Sequence, residues 1–99
     1  MSLNPSGAVV LTISDHLDWT DSTSHQYILQ AKMNRYLAFI ESGEILEHYA
    51  DVDDRGVVIE VVTRCEPDAD GWEFLRRAQT VIVGAGFGFN HRVSAGLVR

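Results

Sequence analysis

The sequence predicts one α+β domain over residues 1–99, a two-layer sandwich of about three strands with two helices on one face, in the order β-α-β-α-β. Two segments, 8–15 and 57–65, alternate apolar and polar residues as half-buried strands do. Two others, 24–42 and 70–83, repeat apolar residues at helical spacing. Because each of these elements has one apolar face, helices lying on one face of a sheet would bury all of them.

The first strand is predicted over residues 8–15, AVVLTISD, which places Val9, Leu11 and Ile13 on its buried face. We expect the preceding residues, 1–7, to be a flexible N-terminus. A polar connection, HLDWTD, follows the strand.

The first helix is predicted over residues 24–42. Thr23 and Gln26 have the spacing of a capping box, so we expect the Thr23 side chain to cap this helix. Gly43 provides a plausible end, because glycine readily adopts the left-handed conformation that terminates helices. The core stripe of the helix is predicted to contain Leu29, Met33, Tyr36, Leu37 and Ile40.

The second half of the chain repeats the pattern. A short helical turn is expected over residues 44–49, and the clearest strand lies at 57–65. Asp68 or Asp70 is expected to cap the helix over 70–83, because aspartate accepts hydrogen bonds from the free amides of a helix start.

The segment VIVGAGFGF at 81–89 resembles the glycine turn of a dinucleotide-binding domain. That turn needs a strand before it, a helix after it and a third glycine, and Phe89 occupies the third glycine's place. The residues that follow show no helical spacing. We therefore interpret Gly84 or Gly86 as the end of the second helix and 87–95 as the last strand.

Composition restricts the partners of the protein. The chain has 14 acidic and 8 basic residues and a net charge of −6, which argues against binding to nucleic acid or to anionic membranes. Cys65 is the single cysteine, so no intrachain disulfide can form, as is typical of the cytoplasm. No cofactor motif or metal-ligand spacing occurs, so we predict neither a cofactor nor a metal.

The HLDW segment at 16–19 is the first candidate ligand or partner site. It connects a strand to a helix, where functional residues are common. His16 and Asp18 could bind a metal or act as a base and its orienting group. In the structural alternative, Asp18 caps a turn and Trp19 fills the joint between sheet and helix.

A polar stripe on the first helix belongs to the same candidate site. Gln30, Asn34 and Glu41 fall on one side of the helix at the margin of the core stripe. The structural interpretation is that Gln30 and Asn34 hold the HLDW segment by hydrogen bonds.

A homodimer is expected, because three strands with helices on one face leave the other face of the sheet open. The first helix also has a flat, weakly polar face, which packs either against the second helix or against a second subunit. The candidate dimer contacts are Tyr27, Ile28, Ala31, Arg35, Ala38, Phe39, Val58 and Val62.

The sequence also resembles a small bacterial family of uncharacterised proteins, a domain of unknown function. The resemblance covers most of the chain and rests on H-L-D-W at 16–19, His25, L-Q-x-K at 29–32 and N-x-Y-L-x-F-I-E-S-G-E at 34–44. It departs from the family at Ala50, where proline is expected. The resemblance assigns no catalytic residue, and it implies that the HLDW segment and the polar stripe form one unit. Small proteins of this kind are often encoded on mobile gene cassettes.

Three functional hypotheses remain open. The sequence favours a non-catalytic cytoplasmic module that self-associates and binds a protein partner or a small ligand, because no catalytic motif occurs. The alternative is a small metal-dependent or hydrolase-like enzyme that uses His16 and Asp18. The third is an immunity-type protein whose acidic surface masks a basic toxin.

Overall fold

The computed structural model describes residues 1–94, with the side chains at positions 53 and 54 left out. A 3₁₀ turn, Glu44–Glu47, follows the first long helix. No helix in this part of the chain is long and apolar enough to cross a membrane. The elements are β1 (Ser2–Leu3), β2 (Val9–Asp15), α1 (Ser22–Glu41), α2 (Val52–Arg55), β3 (Val57–Thr63), α3 (Ala69–Gly84) and β4 (Gly88–Val93).

The strands form one mixed sheet in the order β1-β2-β3-β4. Strands β2, β3 and β4 are parallel, and β1 pairs antiparallel with the start of β2. The predicted α+β class, the three main strands and the two helices are therefore confirmed. The fourth strand lies within the segment predicted to be a flexible N-terminus, and its two residues are too few to show any periodicity in sequence.

Both long helices cover the same face of the sheet. Odd-numbered residues of β2 and β3 face them, as the alternation predicts. Leu29 and Met33 of α1 and Leu75 and Ile82 of α3 contribute to a core cluster with Ile13, Ile59 and Val61. A second cluster, at the other end of the sheet, contains Val9, Leu11, Ile45, Val52 and Val57.

The opposite face of the sheet carries the even-numbered residues, many of them polar. Asn90 of β4 donates a hydrogen bond to the Glu60 carboxylate of β3, and the Arg92 guanidinium lies 3.7 Å from the same carboxylate. Val58 is half-buried. Val62, which the sequence places on this open face, is only 1% exposed.

The starts of the two long helices differ in how well the sequence predicted them. The predicted capping box is wrong: Asp21, not Thr23, is the N-cap of α1, and its carboxylate accepts a hydrogen bond from the Ser24 amide. Thr23 lies inside the first turn instead. The cap of α3 is Asp68, one of the two predicted residues, which accepts from the Gly71 amide. Aspartate is the better cap at both sites because its carboxylate is a stronger acceptor for these amides.

The glycine run ends α3, as predicted. The helix continues through residue Gly84, and the chain then turns at Gly86, whose φ of 97° lies in the left-handed region. The turn thus connects a helix to a strand, the reverse of the order that a dinucleotide site requires. Strand β4 begins at Gly88, and the predicted strand end at Ala95 lies outside the described residues.

The two glycines provide a matched pair of substitutions. Gly86→Ala should lower the free energy of unfolding by about 1 kcal/mol or more, because alanine is strained at positive φ. Gly84→Ala should be neutral or stabilising, since Gly84 is helical and an added methyl group meets no neighbour within 4 Å. Urea unfolding of both variants measures the difference, and equal effects would contradict this account of the turn.

Candidate functional site

Polar side chains gather where β2 and β3 end and α1 and α3 begin. Asp15 and Thr63, the last residues of β2 and β3, are register partners and therefore lie side by side on the helix-covered face. His25 comes from the first turn of α1, and His91 from β4. We call these four residues the polar cluster. It lies at the carboxyl ends of parallel strands, where open α/β sheets commonly bind ligands.

Asp15 and His25 form the buried half of the polar cluster. Their side chains are 0% and 1% exposed, and His25 Nε2 contacts Asp15 Oδ2 directly. The remaining atoms, Asp15 Oδ1 and His25 Nδ1, are buried without a hydrogen-bond partner among the described residues. Two buried polar groups are stable here only as a pair, because each would otherwise lose its hydration without compensation.

Trp19 covers this pair. Its indole ring stacks on the His25 imidazole with the ring centroids 3.7 Å apart, and its Nε1 donates a hydrogen bond to the Cys65 carbonyl. A methyl group at Gly71 would lie 2.8 Å from the indole carbons, so only glycine lets α3 approach the ring this closely. Trp19 thus fills the joint between sheet and helices, as the structural alternative for HLDW predicts.

In the other half of the polar cluster, Thr63 is buried and His91 is partly exposed. Thr63 Oγ1 lies 2.9 Å from His91 Nε2, and Trp72 of α3 approaches the His91 ring edge-on, with the centroids 5.2 Å apart. Burial lowers the pKa of His91 below its ordinary value of 6.5, and the nearby negative charge of Asp15 only partly opposes this. The imidazole is consequently neutral at physiological pH and can both donate and accept a hydrogen bond.

A cavity of about 320 Å³ opens beside His91, between α3 and β4. Its walls combine aromatic, amide and cationic side chains. The Arg76 guanidinium is held by two hydrogen bonds to Glu73. The cavity is lined by Trp72, Leu75, Arg76, Gln79, Phe89, Asn90 and His91.

The polar residues of HLDW do not take part in the polar cluster. His16 and Asp18 are exposed. The Asp18 carboxylate accepts a hydrogen bond from the Thr20 amide, which lowers the pKa of Asp18. Asp18 therefore caps a turn, as the structural alternative for HLDW predicts. The hydrogen bond engages the same carboxylate that would have to act in the enzyme alternative.

The polar stripe of α1 is likewise separate. Gln30, Asn34 and Glu41 are exposed, and no hydrogen bond among the described residues joins them to HLDW. Glu41 ends a helix of 20 residues, so it lies about 30 Å from the end that carries HLDW. Gln30 and Asn34 instead border a groove between α1 and α3, beside Phe74 and Arg77 of α3. The predicted candidate site is therefore not one pocket.

The predicted dimer contacts fall into two groups. Tyr27, Ile28, Ala31, Arg35 and Ala38 are exposed on α1, and Phe39 packs against the second core cluster. On the sheet, Val58 keeps some exposed surface, whereas Val62 has almost none to offer a partner. Their role in a dimer stays a prediction.

The sequence did carry a signal for the buried pair. Asp15 continues the odd-numbered series of β2, so a charged residue stands on the face that faces the core. His25 lies four residues before Leu29 and therefore extends the core stripe of α1. A carboxylate and an imidazole that both lie on buried faces are expected to pair with each other. His91 has no comparable signal, because β4 shows no clear alternation.

Among the described residues, no three histidine, cysteine or acidic side chains could together hold a metal ion.

Breaking the buried pair should be costly. Asp15→Ala and His25→Ala should each lower the free energy of unfolding by about 3–5 kcal/mol, because each leaves one buried polar group unpaired. The double variant should lose less than the sum, which a double-mutant cycle by urea unfolding measures. Glu73→Ala removes an exposed ion pair and serves as the control, with little effect expected. Strictly additive losses for Asp15 and His25 would contradict direct pairing.

The depressed pKa of His91 predicts a loss of stability in mild acid. Because the folded protein binds the His91 proton less tightly than the unfolded chain, this contribution is complete above about pH 6.5 and declines as the pH falls below it. The decrease in unfolding free energy between about pH 7.5 and pH 5.5 should be smaller in His91→Gln than in the wild type. Gln30→Ala, at an exposed residue without a titratable group, should leave the decrease unchanged. An unaltered pH profile in His91→Gln would contradict the assignment.

The comparisons with known proteins identify a family without a known activity. No curated protein and no solved structure matches the chain. Residues 1–95 match the family of unknown function DUF6572, so the match extends over nearly all of the sequence and confirms the resemblance to an uncharacterised family. The chain belongs to DUF6572.

Proposed function

We propose that this protein is a non-catalytic interaction module that binds an extended polypeptide segment along the outer edge of β4. The observation that carries the proposal is that β4 ends the sheet and has a strand partner on only one side within residues 1–94. An edge strand of this kind is a template for a further strand.

The hydrogen bonds of β4 define which groups are available. The Ser94 amide donates to the Thr63 carbonyl of β3. Because neighbouring residues of a strand direct their backbone groups to opposite sides, Asn90 and Arg92 also bond to β3. The N–H and C=O groups of Phe89, His91 and Val93 consequently point away from the sheet.

The cavity between α3 and β4 supplies the second element of such a site. A strand added to β4 would direct alternate side chains toward the helix layer, into the space beside Trp72 and Gln79. Trp72 is 45% exposed, and its indole offers a large surface for a partner side chain. Main-chain hydrogen bonds would give affinity, and the cavity would give selectivity.

The other edge of the sheet is protected, which directs a partner to β4. Strand β1 pairs with Val9 and Val10, and the Tyr36 hydroxyl donates a hydrogen bond to the Thr12 carbonyl further along β2. These contacts occupy backbone groups that would otherwise attract a strand.

The enzyme alternative receives less support from this geometry. It requires His16 and Asp18 to meet further polar groups in a pocket. Both side chains are exposed, and the stripe of α1 lies elsewhere. The net charge of −6 would favour a basic partner, as the immunity-type hypothesis expects.

Selection from a library of random peptides tests the proposal. Bound peptides should shift the amide resonances of Phe89, His91 and Val93 in NMR spectra of the labelled protein. Val93→Pro removes one outward donor without removing a bond to β3, and it should weaken binding about tenfold or more.

Val93→Thr keeps the donor and a similar shape, and should bind as the wild type does. Failure of the monomeric protein to select any peptide that shifts these resonances would overturn the proposal, as would equal binding by the two Val93 variants.

A further inference from the structure

We infer that the segment that occupies the β4 edge is β4 of a second copy of this chain, so that two four-stranded sheets join into one across a two-fold axis. The inference rests on the proposed function, because it uses the same edge, and it names the partner. Three features of the edge make it complementary to itself.

The first feature is the register of the outward groups. Antiparallel pairing with the axis at His91 places Phe89 opposite the partner's Val93, and Val93 opposite the partner's Phe89. All three outward residues of each strand then exchange backbone hydrogen bonds, about six in total. The pairing also joins two apolar side chains on the helix-covered side, where Phe89 is half-buried and Val93 is 43% exposed.

The second feature is the charge pattern on the opposite face. In the same register Arg92 lies opposite the partner's Asn90, whose side-chain amide binds its own Glu60. The Arg92 side chain is 57% exposed and lies 3.7 Å from Glu60 of its own chain, so it is free to bridge two carboxylates. The two-fold axis therefore brings each cation toward an acidic group of the other copy.

The third feature is the helix layer. The two-fold axis sets α3 antiparallel to the partner's α3 on the same side of the joined sheet. The exposed Trp72 and Gln79 then face the second copy over the cavity. Tryptophan is among the residues that contribute most to binding energy at subunit interfaces.

The protected β2 edge makes this assembly a closed one. Among the described residues, β1 and the Tyr36 hydroxyl occupy part of the β2 edge, so pairing at β4 favours an assembly of two copies over further growth. This surface differs from the predicted contacts on α1, such as Tyr27 and Ala31, so substitutions on β4 and on α1 distinguish the two interfaces.

The solution mass and a charge reversal test the inference. Analytical ultracentrifugation should give twice the 11.0 kDa of the chain. Arg92→Glu places like charges across the axis and should raise the dimer dissociation constant about tenfold or more. The double variant Glu60→Arg/Arg92→Glu restores opposite charges and should restore the dimer. Val93→Pro should dissociate it, and Tyr27→Ala should not. Circular dichroism checks that each variant folds.

The outcomes distinguish this inference from the proposed function. A monomer at all concentrations whose β4 resonances still shift with selected peptides overturns the inference and leaves the function standing. A dimer that Tyr27→Ala dissociates, while Arg92→Glu and Val93→Pro do not, places the interface on α1 and overturns the inference. A monomer that binds no peptide at β4 overturns both.

Discussion

The parallel pairing of β2, β3 and β4 constrains everything else in this protein. A parallel neighbour can be reached only by a crossover, and crossovers of one hand place α1 and α3 on the same face of the sheet. One face is then a core and the other remains a surface. The same pairing brings the carboxyl ends of the strands together under the starts of both helices, and within residues 1–94 it leaves β4 with a strand partner on one side only.

At the carboxyl ends, the Asp15–His25 pair shows how a small domain positions a helix. An apolar pair in this place could stabilise the fold as well. The polar pair differs because a hydrogen bond has a preferred direction, so it fixes the first turn of α1 relative to the last residue of β2. The Trp19 ring stacks on His25 and covers the pair. Thr63 lies beside Asp15 and contacts His91, so the buried pair is continuous with the β4 edge. The geometry of that edge thus depends on the core beneath it.

Sequence patterns predicted the elements better than the site. Alternation and helical spacing identified 8–15, 57–65 and both long helices within a few residues, because burial on one face leaves a period in the sequence. β1 was not predicted, because a strand of two residues leaves no pattern in the sequence and forms only through its pairing with β2. The proposed HLDW site was assembled from residues near in sequence, whereas the polar cluster draws on four elements that only the strand register brings together. Asp15 and His25 could have been found from their place on buried faces.

The two edges of the sheet differ in how far their backbone groups are already occupied. On β2, a paired strand and a tyrosine hydroxyl occupy the backbone. On β4, Arg92 is the one charged side chain, and a lone charge on an edge strand normally discourages pairing. Here Glu60 stands beside it on β3, so its charge is already balanced within the chain. A second strand that carries the same Asn90 and Arg92 would meet no net repulsion, and in the dimer that we infer, Arg92 would favour pairing with a second copy over pairing with other strands.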